Sequence, residues 1–367
     1  MSDGIRFQFN VPTDIRFGRG VVATLPELPQ VAGKRCMLLT FPGFSNPVIG
    51  SLERACATLV HPDRFEENPS YGLSTELAGI IIDQNIDAVI AIGGGSSMDS
   101  VKAAVWLAAN PGWDATAPGD SPVIPTLPII AVPTTAGTGS EVSPFAVYTE
   151  DDTGAKRFFN HTSLNPTVAL CDPELTVTMP RSVTANTGID AASHAIEAYL
   201  SVKCQGYMEE MALSACEATT VWLPLALEDG SDVDAREGMM HAALLGGFVL
   251  AACGTVVVHA MGYQITKDFH YPHGLANAVL LPGFIDLLAD RGVERALAIR
   301  DAFGGDLGEF ISSCGLDRKL PADEIDDAMM ERWIDAGYTA YGRVNCVAPL
   351  DRDDIRAILE SSICRTV

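Results

Sequence analysis

The first half of the chain alternates short apolar runs with stretches in which apolar residues recur at helical spacing. Four of these runs are RCMLLTF, DAVIAIG, LPIIAVP and TVALCDP. Uninterrupted apolar runs separated by amphipathic segments are typical of a mostly parallel sheet covered by helices. The pattern therefore predicts an α/β domain over residues 1–180.

The second half changes character after Arg181. Its apolar positions follow the helical period almost throughout, alanine is frequent, and β-type alternation is nearly absent. We therefore predict an all-α domain over residues 181–367. The longest apolar run, residues 242–258, is shorter than a membrane-spanning helix and is predicted to be a buried helix of this domain. A ligand is expected in the cleft between the two domains.

Composition narrows the class of protein. A chain of 367 residues with 47% hydrophobic residues can bury a large core. The formal net charge of −23 argues against nucleic acid and anionic membranes as partners. Nine cysteines without a CxxC pair suit reduced thiols, and the start MSDGIRFQFNVPTDIRFGRG has no apolar signal-peptide core. We therefore expect a cytoplasmic enzyme that acts on a small molecule.

Candidate metal ligands lie in the helical half. Asp190 and His194 stand four residues apart in TGIDAASHAIEAY, so they project from one face of a helix. His259 and His273 follow in HAMGYQITKDFHYPHG. One carboxylate and three imidazoles can bind a divalent cation that polarises a carbonyl or alcohol oxygen. The alternative for each histidine taken alone is a hydrogen-bonded core residue.

A glycine turn lies between a predicted strand and a predicted helix in IDAVIAIGGGSSMDSVKAAVW. Glycines let the backbone approach a ligand closely, and a helix start favours a phosphate group. The spacing differs from GxGxxG, and an ordinary tight turn is the alternative. The candidate cofactor-binding residues here are Gly93, Gly94, Gly95, Ser96, Ser97 and Asp99, to which Lys102 adds a cation.

A second strand is followed by small and hydroxyl-bearing residues in LPIIAVPTTAGTGSEVS. Thr134, Thr135, Thr138 and Ser140 are candidates to line a sugar or a nicotinamide ring. The alternative is a loop rich in helix-capping residues.

Taken together, these motifs resemble the iron-containing (group III) alcohol dehydrogenase family, in the superfamily that also holds dehydroquinate synthase. The resemblance rests on FGRGVVATLPEL, GGGSSMDSVK, PTTAGTGSE, NPTVALCDPELTVTMPRSVTANTGIDAASHAIEAY and HYPHGLANAVLLP. It implies that Asp190, His194, His259 and His273 bind the metal, Fe(II) first and Zn(II) as an alternative. It also implies a Rossmann-like domain whose GGGS turn binds a nicotinamide dinucleotide, and a homodimer.

Two positions and one segment depart from the family pattern. Many members have a second histidine four residues after the third ligand, where this chain has Tyr263. Many end their second strand with an acid that accepts hydrogen bonds from the adenosine ribose, where this chain has Phe41. No Arg or Lys lies in residues 41–48 to bind a 2′-phosphate, so NAD(H) is favoured over NADP(H). The segment AACGTVVVH also differs from the usual one before His259.

The resemblance implies reversible hydride transfer between a nicotinamide and a small alcohol or aldehyde. Tyr263 and Lys156 are the candidate catalytic residues, Tyr263 for ordering the nicotinamide or relaying a proton. Glu197 lies one helical turn after His194 and is a candidate to hold a ligand in place. For an anionic substrate the candidate partners are Arg181, Lys203 and Lys267.

Two other functions are alternatives to this one. A cyclase (lyase) related to dehydroquinate synthase also uses NAD and a metal, but it needs several basic residues for a phosphorylated sugar acid. Few Lys or Arg lie near the ligand motifs, and PHGLANAVLLP follows the dehydrogenase pattern. A metal-binding protein without catalysis is suggested only by Tyr263 and the altered segment before His259.

Overall fold

The computed structural model describes residues 5–113, 122–316 and 319–364. The strands in this part are β1 (Asp14–Phe17), β2 (Arg35–Thr40), β3 (Thr58–Val60), β4 (Ala88–Gly93), β5 (Ile129–Pro133), β6 (Phe145–Thr149), β7 (Lys156–Asn160), β8 (Val168–Cys171), β9 (Leu320–Pro321) and β10 (Ile363–Cys364). The helices are α1 (Val48–Ala55), α2 (Tyr71–Asp83), α3 (Gly95–Ala109), α4 (Arg181–Tyr199), α5 (Tyr207–Glu228), α6 (Val233–Cys253), α7 (Val258–Phe269), α8 (His273–Ala278), α9 (Leu281–Asp290), α10 (Glu294–Ala302), α11 (Leu307–Ser313), α12 (Asp327–Tyr338) and α13 (Arg352–Ser361).

The chain divides into two compact units. The sheet unit holds the described residues of Val11–Thr135 and Ser140–Thr176. The helical unit holds those of Met1–Asn10, Ala136–Gly139 and Val177–Val367. All four candidate metal ligands therefore belong to the helical unit, and the glycine turn belongs to the sheet unit.

A six-stranded sheet forms the centre of the sheet unit. Its strand order is β1-β8-β5-β4-β2-β3, and every pairing in it is parallel. Successive side chains of a strand point to opposite faces, and both faces here are buried. Leu38, Ile90 and Ile130 face one apolar cluster, whereas Met37 and Val89 face the other. The predicted mostly parallel sheet is confirmed.

The carboxyl ends of the central strands lie at one edge of this sheet. Thr40 of β2 is opposite Ile92 of β4, and Gly93 of β4 is opposite Pro133 of β5. The residues that follow these strands therefore start from neighbouring positions. In open parallel sheets this edge is where ligands bind.

The helical unit is organised around α4. From Gly188 to Tyr199 this helix is buried on all sides, which its small residues permit. A Cβ added to Gly188 would lie 2.5 Å from the Leu223 side chain, so α5 packs directly on the α4 backbone. Strands β9 and β10 form one short parallel pair, and the rest of the regular structure described here is helical, as predicted.

The long apolar run of the second half forms α6 and the start of α7. Gly254 ends α6 with a φ of +70°, and the two helices are bent by 110°. Among the described residues no single helix is long and apolar enough to cross a membrane; α6 and α7 meet the length and composition only as this bent pair.

Candidate metal and cofactor sites

Three of the four predicted metal ligands converge on one point in the helical unit. Asp190 comes from α4, His259 from the first turn of α7, and His273 from the start of α8. Asp190 Oδ1 lies 3.9 Å from His259 Nε2 and 3.9 Å from His273 Nε2. One atom from each residue lies within 4.8 Å of the other two. We call Asp190, His259 and His273 the ligand triad.

His194 lies beside the triad but contributes no atom to it. Its ring stacks on the His259 ring with centroids 4.6 Å apart and an interplanar angle of 25°. The ring hydrogen-bonds to the backbone of Gly137, and its Nδ1 is buried without a hydrogen-bond partner among the described residues. The role of His194 as a fourth ligand stays a prediction.

Burial and mutual charge set the protonation of these groups. Burial lowers the pKa of His194 to about 4, so this imidazole is neutral at physiological pH. Burial alone would raise the pKa of Asp190, but the neighbouring imidazoles and the Asn277 amide hold it below its ordinary value. A buried ionised carboxylate among imidazole nitrogens is a donor set that fits a divalent cation such as Fe(II) or Zn(II).

Asn277 is a site residue that the sequence analysis missed. Its Nδ2 lies 3.2 Å from Asp190 Oδ1, 3.4 Å from His259 Nε2 and 3.3 Å from His273 Nε2. The amide thus donates toward the same three atoms that would hold a cation. One signal was available, because Asn277 stands four residues after His273, the same spacing as Asp190 and His194.

Glu197 hydrogen-bonds to one member of the ligand triad. It is fully buried on α4, and one of its oxygens binds His259 Nδ1. Burial alone would raise its pKa, but His259 and backbone amides hold the pKa below its ordinary value. The side chain is therefore placed to accept a hydrogen bond from His259 Nδ1.

Tyr263 lies one turn after His259 on α7. Its ring is stacked on the His273 ring, with centroids 4.7 Å apart and an interplanar angle of 11°. It meets the His259 ring edge-on at 6.4 Å. The tyrosine is thus in contact with the triad, and its catalytic role remains a prediction.

The predicted glycine turn joins β4 to α3 as expected. Gly93 ends β4 and Gly95 begins α3, with no side chain capping the helix start. A Cβ added to Gly93 would lie 2.1 Å from Ser97 Oγ, so only glycine fits there. A Cβ added to Gly94 would lie 3.2 Å from the Thr135 side chain. Ser97 Oγ is buried without a hydrogen-bond partner among the described residues. A bare helix start with an unsatisfied hydroxyl fits a phosphate group.

Lys102 is not a cofactor cation, which corrects the expectation from the sequence. Its Nζ is fully buried and donates to Ser140 O, Ser140 Oγ, Ser143 O and Phe145 O at 2.5 to 3.0 Å. All available N–H donors of an ammonium group are used by these oxygens. Lys102 therefore shapes the loop after β5.

Asp99 and Ser140 belong to the same network. Asp99 accepts hydrogen bonds from Ser140 Oγ at 2.6 Å and from the Val147 amide at 3.0 Å. Ser96 Oγ donates to the carbonyl of Glu67. These contacts lie within the protein, so binding of a cofactor by Asp99, Ser96 and Ser140 remains a prediction.

The hydroxyl-rich loop after β5 is shared by the two units. Thr134 donates its backbone N–H to Gly93 O at 2.9 Å, and Thr135 lies beside Gly94. Thr138 belongs to the four residues that cluster with the helical unit. Phe41 follows β2, and its ring lies near Gly93 and meets Phe44 edge-on at 5.4 Å.

Lys156 lies on β7, which pairs only with β6 among the described strands. Its Nζ donates to Asn68 Oδ1 and Thr149 Oγ1, both at 3.0 Å. Burial lowers its pKa, although the charge of Asp99 opposes this shift. Its predicted catalytic role is not tested by these contacts. Arg181, Lys203 and Lys267 are all exposed.

Two family models together match nearly the whole chain. The model described as iron-containing alcohol dehydrogenase matches residues 12–173. The model for the C-terminal part of the Fe-containing alcohol dehydrogenase family matches residues 184–363.

Known proteins of this kind resemble the chain over most of its length. Alcohol dehydrogenase 4 of Schizosaccharomyces pombe is 31% identical over 97% of this chain and 89% of its own. NAD-dependent methanol dehydrogenase of Bacillus methanolicus is 31% identical over 91% of this chain and 89% of its own. A crystal structure of an iron-containing alcohol dehydrogenase superposes with a TM-score of 0.89 at 30% identity, covering 98% and 99% of the two chains. These similarities exclude the dehydroquinate synthase alternative, and the chain belongs to the iron-containing alcohol dehydrogenase family.

Proposed function

We propose that this enzyme interconverts a small, uncharged alcohol and its aldehyde with NAD(H), at a site where Asp190, His194, His259 and His273 bind Fe(II). The observation that carries the proposal is the 3.9 Å separation of Asp190 Oδ1 from each of two imidazole Nε2 atoms. Nitrogen and oxygen donors at such spacing need to close by only a fraction of an ångström per ligand to reach metal-bond lengths of about 2.0 to 2.2 Å. His194 joins them if its ring turns away from Gly137.

A bound divalent cation supplies Lewis acidity at the substrate oxygen, and the nicotinamide accepts or donates the hydride. The chain's own residues hold these groups in place. Asp190 contributes the one negative charge of the four ligands, so a 2+ ion together with these ligands would carry a net positive charge that stabilises a developing oxyanion. Tyr263 packs flat on His273, and we assign to its hydroxyl the role of proton relay.

The preference for NAD(H) is argued from the residues that follow β2 at the carboxyl end of the sheet. Phe41 stands where β2 ends, and residues 41–48 contain no Arg or Lys to pair with a 2′-phosphate. The apolar ring offers the ribose no acceptor, so we infer a preference against NADP(H) without strong selection for NAD(H). The methanol dehydrogenase of Bacillus methanolicus is named as NAD-dependent, which agrees with this preference.

The exposed positions of the three candidate cationic side chains support an uncharged substrate. Arg181, Lys203 and Lys267 are exposed, and the Lys203 ammonium lies over the Tyr341 ring at 5.7 Å. A buried cation is the usual partner of an anionic substrate. Iron is proposed by family membership, and Zn(II) is the alternative because both metals accept nitrogen and oxygen ligands. We further propose a homodimer in the cytoplasm.

The test is a steady-state assay of metal-free protein reconstituted anaerobically with Fe(II) or Zn(II). NADH and NADPH oxidation are followed with a panel of small neutral and anionic aldehydes. We expect metal-dependent turnover, faster with NADH and with neutral aldehydes. Turnover that does not depend on added metal, or none despite stoichiometric metal binding, contradicts the proposal.

A matched pair of variants tests whether Asp190 binds the metal. Asp190→Asn removes the one anionic ligand, and we expect metal affinity to fall by about 100-fold or more, because a carboxylate ligand binds in its deprotonated form and losing a ligand costs more than losing a group that supports one. Asp301→Asn makes the same change at an exposed position on α10 and is expected to behave as the wild type. Equal metal binding by the two variants rules out Asp190 as a ligand.

A further inference from the structure

One buried carboxylate connects the helix that carries Asp190 to the start of the helix that carries His259. Glu197 Oε1 accepts hydrogen bonds from the amides of Val256 at 2.8 Å, Val257 at 2.7 Å and Val258 at 2.8 Å. Its Oε2 accepts from the His259 amide at 3.1 Å. Four consecutive N–H groups therefore meet a single side chain from another helix.

Three of these amides, those of Val257, Val258 and His259, belong to the start of α7, where backbone N–H groups have no partner within the helix. The residue before α7 is Val257, and no side chain of its own caps the helix. A helix start usually finds a local Ser, Thr, Asp or Asn for this purpose. Here Glu197 takes that place from α4, and its negative charge also suits the positive end of the α7 dipole. The first turn of α7, and with it His259, is thereby held at a fixed distance from α4.

The same carboxylate orients the His259 ring. The two oxygens of Glu197 accept from four backbone amides, and Oε2 also binds His259 Nδ1, so the side chain is placed as an acceptor and Nδ1 as the donor. In a neutral imidazole the other nitrogen, Nε2, then has a free lone pair. That nitrogen is the one that lies 3.9 Å from Asp190 Oδ1.

We propose that Glu197 is a positioning residue for metal binding, which fixes both the place of the α7 start and the tautomer of His259. The inference rests on the proposed metal site. It assigns to Glu197 no contact with substrate or cofactor. Its effect passes entirely through His259 and the backbone that carries it.

Glu197→Gln tests the proposal with little change in shape. The amide oxygen of Gln can still accept from backbone N–H groups, but its NH₂ group would face the N–H donors of His259. The His259 ring then gains by moving its proton to Nε2, which blocks the ligand lone pair. We expect Zn(II) affinity, measured by competition with a chromogenic chelator, to fall about 10- to 100-fold.

Glu217→Gln is the matched control. Glu217 is exposed on α5 of the same unit, so this variant loses the same charge without touching the site. We expect its affinity to equal that of the wild type. If the wild type itself binds no metal, the proposed function fails. If the wild type and Glu197→Gln bind Zn(II) equally well, the positioning role fails while the proposed function stands.

The tautomer of His259 provides a readout in the wild-type protein that does not depend on how well Glu197→Gln folds. In metal-free wild-type protein with ¹⁵N-labelled histidine, NMR distinguishes protonated from unprotonated ring nitrogens. The His259 signal is assigned by its loss in His259→Ala. At a pH high enough for the His259 ring to be neutral, we expect it to be protonated on Nδ1 and bare on Nε2; the opposite tautomer overturns the proposal.

A double-mutant cycle separates this role from a general structural one. In the His259→Ala background, Glu197→Gln should cause no further loss of metal affinity, because its route to the metal is already gone. An additive loss of the full 10- to 100-fold in that background would show that Glu197 acts by another route.

Discussion

Gly274 marks the point where the structure leaves no room for a side chain next to the ligand triad. It follows His273 directly, in the first turn of α8. A Cβ added there would lie 1.9 Å from the carbonyl oxygen of Asn186 and 2.7 Å from its carbonyl carbon. Asn186 lies on α4, one turn before Asp190. The backbones of α4 and α8 therefore touch at this glycine.

Replacement of Gly274 by Ala must push the two helices apart. Ordinary contacts of a Cβ begin at 3.4 Å, so the shortfall from 1.9 Å is 1.5 Å, and the obstructing atom is backbone that cannot rotate away. A separation of that order would carry His273 Nε2 away from Asp190 Oδ1, from which it is now 3.9 Å distant. Metal sites tolerate errors of only about 0.2 Å in ligand distance.

We therefore expect Gly274→Ala to lose both stability and metal affinity. Overpacking of a close-packed interior costs about 1 to 3 kcal/mol in the free energy of unfolding. Gly79→Ala is the control, because Gly79 lies in α2 with nothing within 4 Å of an added Cβ. There alanine should stabilise by about 0.5 to 1 kcal/mol, since glycine is a poor helix former.

Urea denaturation of the metal-free variants, followed by circular dichroism, measures the first effect. Chelator competition with Zn(II) measures the second. The two glycine substitutions should move the urea midpoint in opposite directions, and only Gly274→Ala should weaken Zn(II) binding. A Gly274→Ala protein with wild-type midpoint and wild-type affinity would refute the reasoning from backbone contact.

Two further changes have definite expected outcomes. Burial raises the pKa of Glu141 from 4.5 to about 7, so the folded state binds a proton more tightly than the unfolded state and stability falls as pH rises from 4.5 to about 7. Glu141→Gln removes this loss. The melting temperature of the variant minus that of the wild type should therefore be larger at pH 8 than at pH 4, and the change corresponds to at most about 3 kcal/mol in the free energy of unfolding. The same difference at both pH values would contradict this prediction. Asn277→Ala leaves Asp190 without its 3.2 Å amide partner and should destabilise the metal-free protein by about 1 to 3 kcal/mol. Saturating Zn(II) should reduce that difference in thermal unfolding, because the cation then satisfies the same carboxylate.

The sheet could be predicted from the sequence because its strands are buried on both faces. The sequence segments that form β2, β4, β5 and β8 are uninterrupted apolar runs, and each of these predicted strands is present in the structure. Strand β1, with the sequence DIRF, escaped because two of its four residues are charged. It is an edge strand that pairs only with β8, so its solvent-facing positions carry no apolar signal.

The candidate site was only partly predictable. Asp190 and His194 share a helical spacing that sequence reveals directly, whereas the convergence of three helices depends on tertiary packing. Lys102 shows how far local sequence can mislead. A cation beside a glycine turn suggests phosphate binding. Its actual partners are oxygens 38 to 43 residues later in the chain, and no local sequence pattern predicts these contacts.

The hydrogen bonds of Glu197 also impose an order of events on the newly made chain. The amides that it binds lie 59 to 62 residues further along. At about 5 to 20 residues per second, ribosomal synthesis takes roughly 3 to 12 s to produce them. During that interval the carboxylate must stay in water, because burial without partners would cost several kcal/mol. Helix α4 therefore cannot take its final buried place until α7 has emerged, and His273 arrives later still. Metal capture must then be among the last steps in the maturation of the enzyme.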